Sequence, residues 1–208
     1  MTVYTSSWKS PSNIALVKYW GKKSNGVQLP ANASISFTLN NCATSTKLTF
    51  WEGEDLAVKV HLEGDEEPSF VPKINKFLER ISAIFPFVLN GKYLVETSNS
   101  FPHSSGIASS ASGMSALALC ICEIAQTKGL LKAEDFNQTA SVLARLGSGS
   151  ASRSVFGPMG VWGEHPEFKG SSDEFAIEYN DINPVFRDFC DTILLVHKGQ
   201  KTVSSTVG

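Results

Sequence analysis

The strongest constraint on the fold of this chain is a segment of small residues that leads directly into an apolar helix. Residues 101–113 have the sequence FPHSSGIASSASG, called here the first serine–glycine segment, and the helix predicted after it ends at Gly129. Small residues leave backbone N–H groups exposed, and the start of a helix carries partial positive charge. The segment therefore predicts either a plain helix cap or an anion-binding loop. The loop would use the hydroxyl groups of Ser104, Ser105, Ser109 and Ser110.

A second segment repeats this composition farther along the chain. Residues 146–154, LGSGSASRS, form the second serine–glycine segment and follow a helix predicted from about residue 133. Arg153 comes three residues after Ser150, so the two side chains would lie on the same side of a helix. Hydroxyls, free amides and a guanidinium suit a phosphate or a carboxylate, and the alternative is a solvated arginine beside a flexible turn. Two such segments favour a substrate and a nucleotide that both carry phosphate.

Lys18 is the third unusual feature, because it lies within an otherwise apolar stretch. If residues 14–22 are extended, Lys18 shares one face with Ile14, Leu16 and Trp20. Lysine is almost never fully buried without a partner. Either this face opens on a polar site, or Lys18 reaches solvent along its own aliphatic stem.

The remaining patterns mix strands and helices without regular βαβ alternation, which favours the α+β class. An apolar stripe predicts an amphipathic helix at residues 73–85, before Pro86. Strands are predicted from alternation and β-branched or aromatic residues. They lie at residues 13–20, 35–39, 46–51, 57–62, 93–97, 161–162, 175–179 and 192–197.

Composition excludes several classes of protein. The chain has 208 residues, 18 Lys and Arg against 20 Asp and Glu, and a charged share of 18%. This balance excludes a disordered tail and a strongly basic nucleic-acid-binding protein. No apolar run approaches the roughly 18 residues that span a bilayer, and the N-terminus lacks a signal sequence. The 4 cysteines and 4 histidines show no metal-ligand spacing. We therefore expect a soluble, cytoplasmic protein with buried free thiols, no metal site, and neither nucleic acid nor membrane as partner.

Several motifs together resemble the diphosphomevalonate decarboxylase family. SPSNIALVKYWGKK (residues 10–23) and LPANASISFTL (residues 29–39) resemble the start of its members. RLGSGSASRSVFG (residues 145–157) resembles the family's substrate segment, and KTVSSTVG (residues 201–208) its following strand and loop. The first serine–glycine segment resembles the phosphate loop of the wider superfamily of galactokinase, homoserine, mevalonate and phosphomevalonate kinases, the GHMP kinases.

The resemblance implies a fold and a division into domains. It implies a GHMP-kinase-like N-terminal domain at residues 1–187, of the type called ribosomal protein S5 domain 2-like, with a left-handed βαβ crossover. Residues 188–208 would form the first strand and loop of a ferredoxin-like C-terminal domain. Members of the family are often dimers, so a homodimer is an expectation as well.

The resemblance also implies a reaction and roles for individual residues. ATP, with Mg²⁺, would phosphorylate the tertiary hydroxyl of mevalonate 5-diphosphate, and loss of phosphate and carbon dioxide would give isopentenyl diphosphate. Lys18 would assist near the reacting groups. The expected substrate-binding residues are Asn13, Tyr19, Lys22, Ser148, Gly149, Ser150 and Arg153. The expected nucleotide-binding residues are Ser104, Ser105, Gly106, Ala108, Ser109 and Ser110.

Two departures from the family pattern affect what the chain is expected to do. The family's catalytic aspartate belongs to an Asp-Ala-Gly-Pro-like motif, which does not occur in these 208 residues. His103, Ser104 and Ser105 replace the more common Thr-Ala-Ala, which affects the details of nucleotide contact. The chain is therefore expected to be part of a decarboxylase whose catalytic aspartate lies beyond it. The alternatives are a mevalonate 3-kinase that does not decarboxylate and an inactive fragment that binds nucleotide or substrate.

Overall fold

One mixed β-sheet organises the part of the chain that the computed structural model describes, which is residues 2–23, 27–102, 107–186, 188 and 190–194. Within these ranges there are seven strands and three α-helices. The strands are β1 Val3–Val17, β2 Ser34–Glu52, β3 Ala57–Leu62, β4 Asp65–Glu66, β5 Gly91–Asn99, β6 Met159–Trp162 and β7 Ala176–Glu178. The helices are α1 Val71–Ile81, α2 Ser109–Thr127 and α3 Phe136–Gly147. Short 3₁₀ helices cover Pro68–Phe70, Pro86–Leu89, Gly149–Val155 and Pro184–Phe186.

The long strand β2 is the centre of the sheet. It pairs antiparallel with β1 along one edge, while its two halves pair with β6 and β5 along the other edge. Strands β3 and β5 are parallel and are connected through α1, as a parallel pair requires a crossover. Mostly antiparallel pairing with helices packed on the sheet confirms the α+β class.

The main core lies between the sheet and the three helices. Helix α2 is buried along almost its whole length because its residues are small or apolar on every side, as expected for a helix enclosed by protein. The stripe predicted for α1 is confirmed at Ile74, Phe77, Leu78 and Ile81, which are buried, but the helix ends at Ile81 rather than residue 85 and Ile84 is exposed. A smaller cluster contains Phe37, Leu39, Phe101 and Ile107.

Several strand boundaries differ from those predicted, because pairing within the sheet, and not the local residue pattern, decides where a strand begins and ends. Strand β1 begins ten residues before the predicted start at residue 13 and ends at Val17, so the expectation of an extended strand at residues 14–22 holds for residues 14–17 and is wrong for residues 18–22. A bulge between Ala15 and Val17 precedes this end. The two strands predicted at 35–39 and 46–51 form the single strand β2. Residues 192–194 are not in a strand, and residues 195–197 lie outside the described residues.

The cysteines are free, as expected, but they are not all buried. Cys120 and Cys122 are buried in α2, and burial raises the pKa of the Cys120 thiol to about 11. Cys42 is half-buried and Cys190 is exposed, so the prediction of buried thiols is wrong for Cys190. In the described ranges, no helix combines the length and hydropathy needed to cross a membrane.

Replacing Gly113 by alanine should stabilise the protein. Gly113 lies in the first turns of α2, its φ is not left-handed, and a Cβ there meets no atom within 4 Å. Glycine in a helix costs roughly 0.5–1 kcal/mol relative to alanine, so we expect the free energy of unfolding to rise by about that amount in urea denaturation. Gly91→Ala is the contrast, because its φ is +154° and its Cβ would lie 2.4 Å from Trp51 O. Unchanged or reduced stability of Gly113→Ala would contradict the expectation.

Candidate functional site

Polar side chains near the end of β1 bring the two serine–glycine segments to the same sheet. The Ser12 hydroxyl donates to the carbonyl of Ile107 in the first segment. Asn13 Nδ2 donates to Ser150 O at 3.1 Å and to Ser154 Oγ at 2.6 Å in the second segment. Ser12 and Asn13 are both buried. The strand therefore fixes the distance between the two segments, which are about forty residues apart in sequence.

Arg153 lies at the centre of a buried polar cluster. Its side chain is 2% exposed, so the alternative of a solvated arginine is wrong. Its Nε donates to Ser36 Oγ at 2.8 Å, its Nη1 to Ser34 Oγ at 2.5 Å and its Nη2 to Asn13 Oδ1 at 3.3 Å. These four residues are called the Arg153 cluster below. All three acceptors are neutral oxygens, so they orient the guanidinium without neutralising its positive charge.

The charge of Arg153 has no counter-charge among the described residues. No carboxylate in these ranges forms an ion pair with it. Burial lowers the pKa of Arg153 to about 10, because the charged form loses hydration. A guanidinium has five N–H groups, and three of them have acceptors in the described structure. The other two belong to Nη1 and Nη2, the paired donors that bind a carboxylate or phosphate.

Tyr19 adds a second buried donor beside this cluster. Its hydroxyl is buried and has no hydrogen-bond partner among the described residues. Its ring centroid lies 4.7 Å from that of Trp162. Burial raises the pKa of Tyr19, and the charges of Arg145 and Arg153 oppose that rise. A neutral phenol close to two guanidinium groups can donate to an anion.

Gly149 allows the second serine–glycine segment to approach these two rings. A Cβ at this position would lie 2.9 Å from Trp162 Cη2 and 3.1 Å from Tyr19 Cε1. Both distances are shorter than ordinary van der Waals contact, so the space is suited to glycine alone. Ser148 and Ser150 on either side of it are half-buried.

The structure does not bring Lys18 and Lys22 into the Arg153 cluster. Both are exposed on the described residues between β1 and β2, 18–23 and 27–33, which are called the β1–β2 segment below. The Lys18 carbonyl accepts from Asn32 Nδ2 at 2.9 Å, and Lys22 forms a backbone bridge with Pro30. Among the described residues, no contact joins either ammonium group to the cluster.

The first serine–glycine segment leads into α2 as predicted, but part of the segment lies outside the residues that the structure describes. Ser104, Ser105 and Gly106 are outside the described residues. Ala108 caps the helix with left-handed φ and ψ of 54° and 39°, and the helix begins at Ser109. Lys73 Nζ, on α1, lies 3.4 Å from Ser110 Oγ, and burial lowers the pKa of Lys73. A helix start, a hydroxyl and an ammonium group therefore lie together.

Several residues of this site were not predicted. Ser34 and Ser36 alternate within LPANASISFTL, so period-two alternation places both on one face of a strand, and this signal was present in the sequence. Nothing local to Lys73, Arg145 or Trp162 marks them, because their contacts join elements far apart in sequence. In the described part of the chain, no group of three or more His, Cys, Asp and Glu residues could hold a metal ion.

Comparisons with known proteins agree on one family. A sequence model described as the diphosphomevalonate decarboxylase-like N-terminal domain matches residues 10–175. Diphosphomevalonate decarboxylase of Saccharomyces cerevisiae is 33% identical over 100% of this chain and 53% of its own length. The protein of that name from Rattus norvegicus is 33% identical over 96% of this chain and 50% of its own length.

Solved structures give the same result. Mevalonate diphosphate decarboxylase from Staphylococcus aureus has a TM-score of 0.70 and 33% identity, covering 86% of this chain and 51% of that one. A structure described as MDDEF in complex with MVAPP, AMPPCP and magnesium has a TM-score of 0.68 and 35% identity, over 86% of this chain and 51% of that one. The chain thus spans about half the length of the relatives that it matches.

Proposed function

Because this chain belongs to the diphosphomevalonate decarboxylase family, we propose that it supplies the anion-binding half of an enzyme that decarboxylates mevalonate 5-diphosphate with ATP. Phosphoryl transfer from ATP to the tertiary hydroxyl makes that oxygen a leaving group. Phosphate and carbon dioxide then leave, and the two electrons of the C–C bond form the double bond of isopentenyl diphosphate. Both substrates are polyanions, so the site needs donors and positive charge.

The observation that supports this proposal best is the buried, unneutralised charge of Arg153. Its Nη1 and Nη2 each have one N–H without an acceptor in the described structure, and the cluster fixes the plane of the guanidinium. A planar pair of donors binds a carboxylate through two parallel hydrogen bonds, which a lysine cannot do. We assign the substrate carboxylate to these donors, with Tyr19 as a further donor to the same anion.

Other substrate-binding roles are proposals drawn from family and position. Asn13 uses both of its N–H groups on Ser150 and Ser154 and accepts from Arg153, so it acts by orienting Arg153 and the second serine–glycine segment. Ser148, Gly149 and Ser150 would meet the diphosphate through hydroxyls and amides. Lys18 and Lys22 are exposed cations that would approach the reacting phosphate and the substrate when these are bound.

The nucleotide is assigned to the start of α2. Helix N-termini bind phosphate because their first N–H groups lack partners and carry partial positive charge. Ala108, Ser109 and Ser110 lie at this end, and Lys73 adds an ammonium group beside Ser110. The remaining members proposed for this loop, Ser104, Ser105 and Gly106, lie outside the described residues.

Magnesium belongs to the nucleotide in this proposal. Mg²⁺ at such sites is held mainly by phosphates and waters, with few protein ligands. The described residues around α2 offer the Ser109 and Ser110 hydroxyls, which fit a metal that arrives with the nucleotide as MgATP. The chain's own residues orient the phosphates, and the metal neutralises the charge that develops on them.

We also propose that the protein acts in the cytoplasm. Its four cysteines are free, including the exposed Cys190, which suits a reducing compartment. Localisation of a tagged copy of the whole protein in cell fractions would test this, and recovery in a secreted fraction would contradict it.

One assay tests the proposed function. The chain is incubated with MgATP and mevalonate 5-diphosphate while binding is followed by calorimetry and carbon dioxide and ADP are measured. We expect saturable binding of mevalonate 5-diphosphate, with turnover requiring a carboxylate base of the kind found in the Asp-Ala-Gly-Pro-like motif. ADP release with a phosphorylated product and no carbon dioxide would indicate a 3-kinase. Absence of binding to both substrates would contradict the proposal.

Replacing Lys73 by glutamine should weaken nucleotide binding selectively. The change removes the ammonium group beside Ser110 and keeps a side chain of similar length. Loss of one charge-assisted hydrogen bond, at about 1.5 kcal/mol, predicts about a tenfold lower affinity for AMPPCP with magnesium. Lys76→Gln, on the exposed side of the same helix, is the matched control and should leave the affinity unchanged. An equal loss in both variants would exclude a local role for Lys73.

A further inference from the structure

Arg145 is a second buried arginine near the site, and the proposed roles do not account for it. It lies in the last turn of α3 and is 6% exposed. Its Nε donates to Glu174 O at 2.6 Å, and its Nη1 donates to Val27 O at 2.5 Å. A cation also suits the negative end of the helix dipole. One side chain therefore joins the end of α3, the turn before β7 and the β1–β2 segment.

Hydrogen bonds within the β1–β2 segment connect the residue held by Arg145 to the residues that follow Tyr19. Lys23 N donates to Leu29 O at 2.9 Å, and Ala31 N donates to Gly21 O at 3.2 Å. These bonds join the part of the segment that contains Val27 to the part that follows Tyr19. The charge of Arg145 is also close enough to Tyr19 to oppose the rise in its pKa that burial causes.

The turn before β7 holds the same segment at a second point. Lys23 forms an ion pair with Asp173, and Trp162 Nε1 donates to Asp173 O at 2.8 Å. The Trp162 ring contacts Tyr19. Because the Lys23 side chain is 43% exposed, this ion pair is screened by water, whereas the Arg145 side chain is 6% exposed and its bonds are partly buried. The arginine is thus the stronger of the two attachments.

We propose that Arg145 is a positioning residue that fixes the β1–β2 segment, and with it Tyr19, beside the Arg153 cluster. Its two acceptors lie on different segments, so the donors must come from different nitrogens at a fixed spacing. A guanidinium provides this arrangement, and a lysine ammonium does not. The inference rests on the proposed function for the identity of the ligand, while the attachment itself belongs to the ligand-free protein.

The test compares Arg145→Gln and Arg145→Lys with the unaltered chain. Hydrogen exchange of the Lys23 and Ala31 amides, measured by NMR without ligand, reports the attachment. Calorimetry with mevalonate 5-diphosphate and, separately, with AMPPCP and magnesium reports its consequence. Lys128→Gln is the control, since Lys128 is also a half-buried cation at a helix end but bonds Glu52 and Tyr4.

We expect Arg145→Gln to speed exchange of both amides by at least about tenfold and to lower affinity for mevalonate 5-diphosphate by about tenfold, with AMPPCP affinity within about twofold of the unaltered chain. Lys128→Gln should change none of these. Unchanged exchange in Arg145→Gln, or full recovery in Arg145→Lys, would overturn the proposal. If the unaltered chain fails to bind mevalonate 5-diphosphate, the proposed function fails, while the exchange rates still decide whether Arg145 fixes the segment.

Discussion

Replacing Arg153 by methionine should lower the affinity for mevalonate 5-diphosphate about a hundredfold while leaving the folded state almost as stable as before. The affinity falls because the carboxylate loses a charged pair of donors. Stability is nearly preserved because the apo protein holds a buried charge without a counter-charge among the described residues. Binding and stability should therefore separate in this variant.

The energies that lead to this expectation are of similar size and opposite sign. Burial lowers the pKa of Arg153 to about 10, which corresponds to a cost of about 3 kcal/mol while the guanidinium is charged, that is, at any pH below 10. Methionine removes this cost but also removes three hydrogen bonds from a charged donor, which contribute roughly 1.5 kcal/mol each. Ser34 Oγ keeps a bond to Trp162 O at 3.2 Å. The free energy of unfolding should therefore fall by only about 1–2 kcal/mol.

Calorimetry and urea denaturation on the same samples measure both quantities. Isopentenyl diphosphate, which has the diphosphate but no carboxylate, should bind Arg153→Met and the unaltered chain with affinities within about threefold of each other. Lys128→Met, which removes a half-buried cation bonded to Glu52 and Tyr4 outside both serine–glycine segments, is the control and should leave both ligand affinities unchanged. A loss of stability above about 3 kcal/mol in Arg153→Met would indicate a structural arginine, and unchanged affinity would remove it from the site.

Both serine–glycine segments could be recognised from the sequence because their pattern is local. Small residues followed by an apolar helix describe the start of α2 in any fold, and the spacing of Ser150 and Arg153 survives in the 3₁₀ helix at Gly149–Val155. The apolar stripe of α1 was equally visible, because a period of 3.6 needs no tertiary information.

The direction in which the Lys18 side chain points could not be predicted, because it depends on where β1 stops pairing with β2. The bulge between Ala15 and Val17 shifts the register, and pairing ends before Lys18. A shift of one residue exchanges the two faces of a strand, so a period-two pattern cannot be extended past this bulge. Arg145 shows the same limit, since its acceptors Val27 and Glu174 are far from it in sequence.

Beside the Arg153 cluster, residues from distant parts of the chain pack closely in a way that no pattern of residue types reveals. Tyr19 and Trp162 come from the β1–β2 segment and β6, and both rings lie against the backbone at Gly149. The glycine is required by the space between them, because its φ is not left-handed. Its role is therefore steric, and it can be tested by adding one methyl group.

Gly149→Ala should weaken binding of mevalonate 5-diphosphate about thirtyfold and lower the free energy of unfolding by about 1–3 kcal/mol. The added Cβ would lie 2.9 Å from Trp162 Cη2 and 3.1 Å from Tyr19 Cε1, so the rings or the backbone must move. Movement of the Tyr19 ring would also move its buried hydroxyl, which lies close enough to Arg153 to feel its charge. Calorimetry measures the first effect and urea denaturation the second.

Gly147→Ala is the matched control within the same segment. Its Cβ would lie 2.4 Å from Met114 Sδ, in the core between α2 and α3, and would contact neither Tyr19 nor Trp162. A flexible thioether can shift, so Gly147→Ala should lose stability by a similar amount and keep its ligand affinity. If both variants lose affinity in proportion to their loss of stability, the effect of Gly149→Ala comes from general unfolding. If only Gly149→Ala loses affinity, the packing of Tyr19 and Trp162 against Gly149 is what holds the binding site in shape.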